Sequence, residues 1–217
     1  MSISVIIPAH NAEQFLAAAI ESVLAQTRPA TEIIVVNDGS TDRTERIARQ
    51  FASVQLHSTP NEGAGAARNT GVRSATSDLI SFLDADDLWL PEKLSLQMQQ
   101  FELDYGLEAV FGHAVEFGAG RSEHPMRAPV PGTMLIKREA FARIGWFDSA
   151  PRVLEGADWF LRAREKALRF TMLPQVVYRR RVHGANRSIL QRDHSGYVRA
   201  IKASLDRRRL HAAAERA

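Results

Sequence analysis

Leu79-Ile80-Ser81-Phe82-Leu83-Asp84-Ala85-Asp86-Asp87 is a mostly β-favouring run of five residues that stops in three carboxylates within four positions. A short apolar run with an abrupt acidic end reads as a buried strand carrying carboxylates to its exposed carboxyl end. In open α/β sheets that end borders the crevice where ligands bind. Like charges so close together repel, and a divalent cation, a raised pKa or full hydration relieves them. Asp84-x-Asp86 therefore points to a hard cation and, through it, to a phosphate-bearing substrate. Acidic turns after strands are common, so the weight of this reading comes from the residues upstream.

Upstream, Ser2-Ile3-Ser4-Val5-Ile6-Ile7 is rich in β-branched residues and closes at Pro8, which predicts a strand. Asn11 and Gln14 have the spacing of a capping box, and Phe15, Leu16, Ala19, Ile20, Val23 and Leu24 follow at helical period. Glu32-Ile33-Ile34-Val35-Val36-Asn37 predicts a second strand leading into Asp38-Gly39-Ser40. Asp42 with Glu45 predicts a capped helix through Phe51. Val54 to His57 reads as a third strand and the Gly/Ala-rich residues 62–76 as a helix. The β-α-β-α-β-α-β alternation implies a parallel sheet with helices on both faces and right-handed crossovers.

Downstream of Pro91, which suits the first position of a helix toward Phe101, the alternation decays after residue 105. Ala109 to Phe117 and Thr133 to Lys137 read as strands, Gly118 to Pro131 as a loop and Arg138 to Ile144 as a short helix. Asp158 to Ala167 reads as a helix, Arg169 to Leu173 and Val176 to Arg180 as two short strands, and His194 onward as a basic helix. The expected organisation is one catalytic domain over 1–185, with halves 1–105 and 106–185, and a basic helical extension over 186–217.

Composition narrows the chemistry. Of 217 residues 45% are hydrophobic and 24% charged, the balance of a globular chain. There is no cysteine, which excludes disulfides, thiolate zinc sites and cysteine nucleophiles. No apolar stretch approaches the length of a membrane span, and Ile3–Ile7 is too short for a secretory signal, so a cytoplasmic location is expected. The net charge of +3 hides an asymmetry. Residues 179–217 hold 11 Lys/Arg against 3 Asp/Glu, leaving 17 against 22 for residues 1–178. So basic a tail suits a solvated helix face, a peripheral membrane contact or a homodimer. No nucleic-acid partner is expected.

Four stretches at predicted strand ends carry a family likeness: Val5-Ile6-Ile7-Pro8-Ala9-His10-Asn11, Val35-Val36-Asn37-Asp38-Gly39-Ser40-Thr41-Asp42, Asn61-Glu62-Gly63-Ala64-Gly65-Ala66-Ala67-Arg68-Asn69-Thr70-Gly71, and Phe82-Leu83-Asp84-Ala85-Asp86-Asp87. In this order they closely resemble the nucleotide-sugar half of inverting glycosyltransferases of family 2, which have the GT-A fold. That fold is a Rossmann-like, mostly parallel α/β sheet flanked by helices, with an acceptor-side second half. The resemblance is most specific over residues 3–90.

It implies a nucleoside-diphosphate sugar donor, a UDP-sugar by preference, and Mn²⁺ or Mg²⁺ as cofactor. Pro8, Asn11, Asp38, Arg68, Asp84 and Arg181 are its implied nucleotide-sugar contacts, Asp38 for the base and Asp84 for the ribose or sugar. Asp86 is the implied metal ligand, and His183, in the stretch Arg179-Arg180-Arg181-Val182-His183, would join the metal or the diphosphate. Residue chemistry agrees, because hard oxygens suit these cations and an arginine fork suits phosphate. The 63–69 run is not a P-loop, since no Gly-Lys-Ser/Thr ending is present. Asp87 reads as an acceptor-side contact or a turn residue.

The second half departs from the family pattern. Many members place a Glu-Asp pair, whose aspartate is the general base, ahead of an Asp-aromatic-Leu-Arg-like helix start. Aligned on Asp158-Trp159-Phe160-Leu161-Arg162, that aspartate position holds Gly156. The expected base is Asp158, which would equally cap the helix, with Glu155 in reserve. The alternative is a nucleotide-sugar-binding protein of the same fold that has lost transfer. The acceptor is left open among glycan, lipid-linked sugar, protein and small molecule.

Overall fold

The computed structural model describes residues 1–118, 124–149, 155–184, 200–207 and 209. Strands β1 (Ile3–Ala9), β2 (Glu32–Asp38), β3 (Val54–Thr59) and β4 (Leu79–Phe82) alternate with helices α1 (Leu16–Leu24), α2 (Thr44–Ala48) and α3 (Ala64–Ser74). All pairings among these four strands are parallel, in spatial order β3-β2-β1-β4. Continuous apolar sequence makes strands that bury both faces. Ile3, Val5 and Ile7 of β1 pack toward α1 and the Leu94/Met98/Phe101 stripe of α4 (Lys93–Leu103), whereas Ile6 faces Ala67 and Val72 of α3. Gly71 permits that second contact, because a Cβ there would lie 2.3 Å from Ile6 Cγ2.

Beyond β4 the chain adds β5 (Leu88–Trp89), β6 (Ala109–Phe117), β7 (Met126–Arg127), β8 (Leu135–Lys137) and β9 (Phe170–Arg181), with α5 (Arg138–Ile144) and α6 (Glu155–Glu165). The nine-stranded sheet continues from β4 through β8, β6 and β9 to β5, with β7 paired to β6. β8 is antiparallel to both β4 and β6, and β6 is parallel to β9. The sheet is thus parallel in its first half and mixed in its second. Trp159 and Ala163 of α6 join Phe141 and Phe147 against Phe82 and Phe111, a second core on the α3 side.

Several expected elements come out differently. Asn11 does not cap α1, which begins at Leu16. Its φ is +47°, a conformation asparagine tolerates, and its Oδ1 accepts from Thr41 N–H at 2.8 Å. Its side chain thereby ties the β1 exit to the β2 exit. Asp42 bonds the N–H and hydroxyl of Thr44 as a cap would, but Glu45 turns to Asn37 and Arg49 instead of closing a box. The two short strands expected around residue 174 are one strand, β9. Its register against β6 shifts near Phe111–Ala114, which absorbs Pro174, a residue without an N–H to give. α6 starts at Glu155, one turn before its expected start. Residues 200–207 are helical, while residues 185–199 and with them the expected 185/186 boundary lie outside the described residues. Among the described residues no helix is long and apolar enough to cross a membrane.

Candidate active site

The carboxyl ends of β1, β2 and β4 meet along one edge of the sheet. Pro8 is buried in β1 opposite Val36, beyond the point where the β1–β4 ladder ends at Ile6–Phe82, so its missing N–H costs no strand pairing. Asp38, 3% exposed, ends β2. Its Oδ1 accepts from Thr59 Oγ1 and Glu62 N–H, both at 2.8 Å, and its Oδ2 from Gly63 N–H at 2.7 Å. Gly39, at φ +65°, turns the chain beside Asn61, where a Cβ would lie 2.7 Å from the Asn61 nitrogen. The carboxylate thus organises the loop that leads into α3. His10 Nδ1 lies 2.6 Å from the Asp38 carbonyl, a neighbour that the sequence did not single out.

Arg68 is the electrostatic centre. It rises from α3, is 5% exposed, and pairs through Nη2 with Asp84 and through Nη1 with Glu155 Oε1 at 2.9 Å. Its Nε is buried with no hydrogen-bond partner among the described residues, and Phe147 lies 5.7 Å from the guanidinium. The small residues before it explain the close fit. A Cβ on Gly65 would sit 2.6 Å from the Asp148 carbonyl oxygen and 3.5 Å from Glu155 Cβ. Two carboxylates hold the guanidinium firmly protonated against the cost of burial. Glu155, expected on a loop, is the first residue of α6, and the second oxygen of its carboxylate takes no hydrogen bond from a described residue.

The acidic run after β4 spreads its three carboxylates over different partners. Asp84 faces Arg68. Asp86 Oδ2 lies 3.1 Å from His183 Nε2, and the Asp86 carbonyl accepts from Arg181 Nε at 2.9 Å. Asp87 is buried, accepts from the Tyr178 hydroxyl and takes the Arg181 N–H at 2.6 Å. Burial, with the charges of Asp86 and Asp84, pushes the Asp87 carboxyl up to about 8. Burial and the Asp87 charge likewise drive the Tyr178 hydroxyl well above its ordinary value. Asp87 is therefore a tether between β4 and β9. Tyr178 is a site neighbour missed by sequence reading, since its only signal was its place before the Arg179–Arg181 run. His183 and Arg181 share one aromatic seat, Phe15, at 4.6 Å ring to ring and 5.2 Å from the guanidinium.

Asp86 and His183 suit a hard or borderline divalent cation, and crowding of negative charge around Asp87 is what such a cation relieves. Among the described residues no cluster of three or more His, Asp or Glu side chains could enclose a metal. One or two protein donors completed by diphosphate and water are the usual set for Mg²⁺. The residues present therefore fit a cation brought in with a phosphate ligand.

Asp158 stands apart from this group. It is 6% exposed, bonds Arg162 Nε through Oδ2 at 2.8 Å and lies 3.4 Å from Arg207 Nη1 through Oδ1. It borders a cavity of about 370 Å³ with Trp146, Asp148 and Arg162. Glu155 borders a different cavity, of about 510 Å³, with Arg68, Asp84 and Gly156.

A family profile described as glycosyl transferase family 2 matches residues 4–169. A glycosyltransferase of Rickettsia typhi is 31% identical over 207 residues, 84% of this chain and 64% of its own length. The UDP-Glc:alpha-D-GlcNAc-diphosphoundecaprenol beta-1,3-glucosyltransferase of Escherichia coli is 39% identical over 99 residues, 44% of this chain and 39% of its own length. The chain thus spans less than two thirds of either relative. Among solved structures, S. aureus TarS in complex with UDP-GlcNAc superposes with a TM-score of 0.75 at 21% identity, over 86% of this chain and 60% of that one.

Proposed function

The chain belongs to glycosyl transferase family 2 and has the GT-A fold, and from that premise we propose that it moves a sugar from a nucleoside diphosphate, UDP by preference, to an acceptor hydroxyl with inversion. The observation that carries the proposal is the convergence of Asp38, Arg68, Asp84, Asp86 and His183 at the carboxyl ends of β1, β2 and β4. The TarS complex with UDP-GlcNAc supports UDP as the first nucleotide to test.

In this reading Asp38 and the Asn11–Thr41 bridge border the base, Asp84 the ribose or sugar, and Arg68 and Arg181 the diphosphate. Asp86 and His183 would hold Mn²⁺ or Mg²⁺. When bound, the cation supplies positive charge where the departing diphosphate becomes more negative. Arg68 needs no proton shuffle for its part, because its paired guanidinium is permanently charged.

Glu155 is the group to which we assign the acceptor's proton. It shares a cavity with Asp84, is held by Arg68 at one oxygen, and offers the other. The hydroxyl loses its proton to Glu155 as its oxygen attacks the anomeric carbon from the face opposite the diphosphate. One displacement inverts the configuration. A second reading keeps Asp158 as base, favoured by its place on the 370 Å³ cavity beside Trp146, but it requires Arg207 to release Oδ1. A cytoplasmic site of action, consistent with the absence of cysteine, belongs to the same proposal.

A thermal-shift panel of nucleoside diphosphates with and without Mn²⁺ tests the donor half, because a ligand at a hundred times its Kd stabilises by about 2.7 kcal/mol. A metal-dependent UDP shift that disappears in Asp86→Ala is expected. No shift with any nucleotide, or a shift indifferent to both metal and Asp86→Ala, would refute the proposal.

A further inference from the structure

Among the described residues, the 510 Å³ cavity that Glu155 borders is polar only where it meets the reacting centre and along β9. Arg68, Asp84 and Glu155 form its inner end. Its outer walls are Pro129, Val130 and Pro131 from the loop before β8, Phe160 and Leu161 from α6, and Ile201 from the C-terminal helical segment. The volume is in the range of small-ligand sites, about 300–1,000 Å³. Two of the wall residues are large apolar side chains left in water, Val130 at 39% and Ile201 at 53% exposure.

The C-terminal segment is held in place to make this wall. Ala200 and Ser204, one turn apart, are buried against α6. Ser204 Oγ donates to Glu165 Oε1 at 2.5 Å, and Arg207 Nε donates to Glu165 Oε2 at 2.7 Å. That face fixes the helix, and Ile201 is left toward the cavity rim. A helix pinned by an ion pair while its apolar residue lines an open cavity calls for an apolar occupant.

Resting on the transfer reading above, we propose that the acceptor is a hydroxyl compound with an apolar group adjoining the reacting hydroxyl, an alkyl or aryl glycoside in kind, whose apolar part lies between Val130, Phe160 and Ile201. A free sugar presents hydroxyls on every side, and the proline, valine, phenylalanine, leucine and isoleucine side chains of the outer wall offer those hydroxyls no partner. The hydroxyl meets Glu155 and Asp84 at the polar end, and the apolar group fills the outer part. Continuity of the cavity with the reacting centre makes the occupant a substrate of this site.

The test compares n-octyl β-D-glucopyranoside, kept below its micellar concentration, with methyl β-D-glucopyranoside, by saturation-transfer NMR titration of the full chain. A UDP/Mn²⁺ thermal shift is recorded in parallel. The octyl glycoside is expected to bind at least about tenfold more tightly, since each buried methylene adds several-fold. Ile201→Asp and Val130→Asp, both at exposed positions, should abolish that preference and keep the UDP shift. Leu205→Asp, exposed on the same helix but not lining the cavity, should leave both unchanged. Equal binding of the two glycosides, or an octyl preference that survives both wall substitutions, overturns the proposal while a UDP shift still upholds the donor reading. An octyl preference with no nucleotide shift instead removes the transfer reading on which the acceptor assignment stands.

Discussion

Replacing Arg68 by methionine removes one charge from between two others. The guanidinium is buried, whereas the side chains of its partners are 37% exposed for Asp84 and 17% for Glu155. Breaking a fully buried pair by deleting one partner costs about 3–5 kcal/mol, chiefly because the survivor is left buried and unpaired. Asp84 is solvated enough to be screened, so most of the penalty falls on Glu155 and the lower end, about 3 kcal/mol, is expected. For a chain of this size that is a fall in Tm of roughly 6–12 °C. Urea unfolding of wild type, Arg68→Met, Glu155→Gln and the double variant measures it. Glu155→Gln in the Arg68→Met background should recover about 1–2 kcal/mol, because an amide tolerates the loss of the guanidinium better than a carboxylate does. The UDP/Mn²⁺ thermal shift, which Glu155→Gln alone should leave in place, should stay weakened in that stabilised double variant, which separates the folding role of Arg68 from its role with the donor. An Arg68→Met protein within about 0.5 kcal/mol of wild type would refute the reasoning, as would a double variant no more stable than the single.

Three further outcomes follow from the same geometry. Glu155→Gln should lower turnover about a hundredfold or more while leaving the UDP shift in place, and Asp158→Asn should leave turnover near wild type; the reverse pattern would move the base to Asp158. Asp87, with its carboxyl raised to about 8, binds a proton in the folded protein that the unfolded chain has already released, so wild type loses stability as pH rises from about 4 to 8. Asp87→Asn, whose amide can still meet Tyr178 and the Arg181 N–H, should flatten that slope in metal-free denaturation series, and an unchanged slope counts against the assignment. Lys93 is fully buried, with Nζ 2.9 Å from Ser81 Oγ, 2.7 Å from Gln97 Oε1 and 4.0 Å from the Trp89 ring centroid, and burial drives its ammonium well below the ordinary value. The unfolded chain then holds the extra proton, so wild-type stability should climb by up to about 1.4 kcal/mol per pH unit toward pH 10, and Lys93→Met should lack that climb.

The first half of the fold was legible because its signals are local. β1, β2 and β4 are apolar runs that end in turn or acidic residues, and the period of α1 and the small residues of α3 state which faces they bury. The second half was less legible. β8 is three residues long and β5 two, too short for any period to show, and their antiparallel pairing depends on partners far along the chain. Pro174 argued for two strands where a bulge makes one. Asn11 and Gln14 had capping spacing, but Asn11 found Thr41, a partner no local rule could anticipate.

Most candidates for the site were legible in sequence: carboxylates at the end of β4, an arginine among small residues on α3, and an arginine–histidine stretch closing β9 are residue types at strand and helix ends, readable from order and spacing. Tertiary structure alone decided their assignments. Arg68 meets Glu155 across 87 positions, His183 meets Asp86 across 97, and Asp87 is drawn into the interior by Tyr178 across 91. Glu155 and Asp158 lie within one turn of each other on α6, yet they border different cavities. Residues three apart on a helix point only about 60° away from one another, so a modest rotation of α6 against the sheet decides which carboxylate faces the Arg68 cavity, a property of packing that no stretch of chain contains by itself.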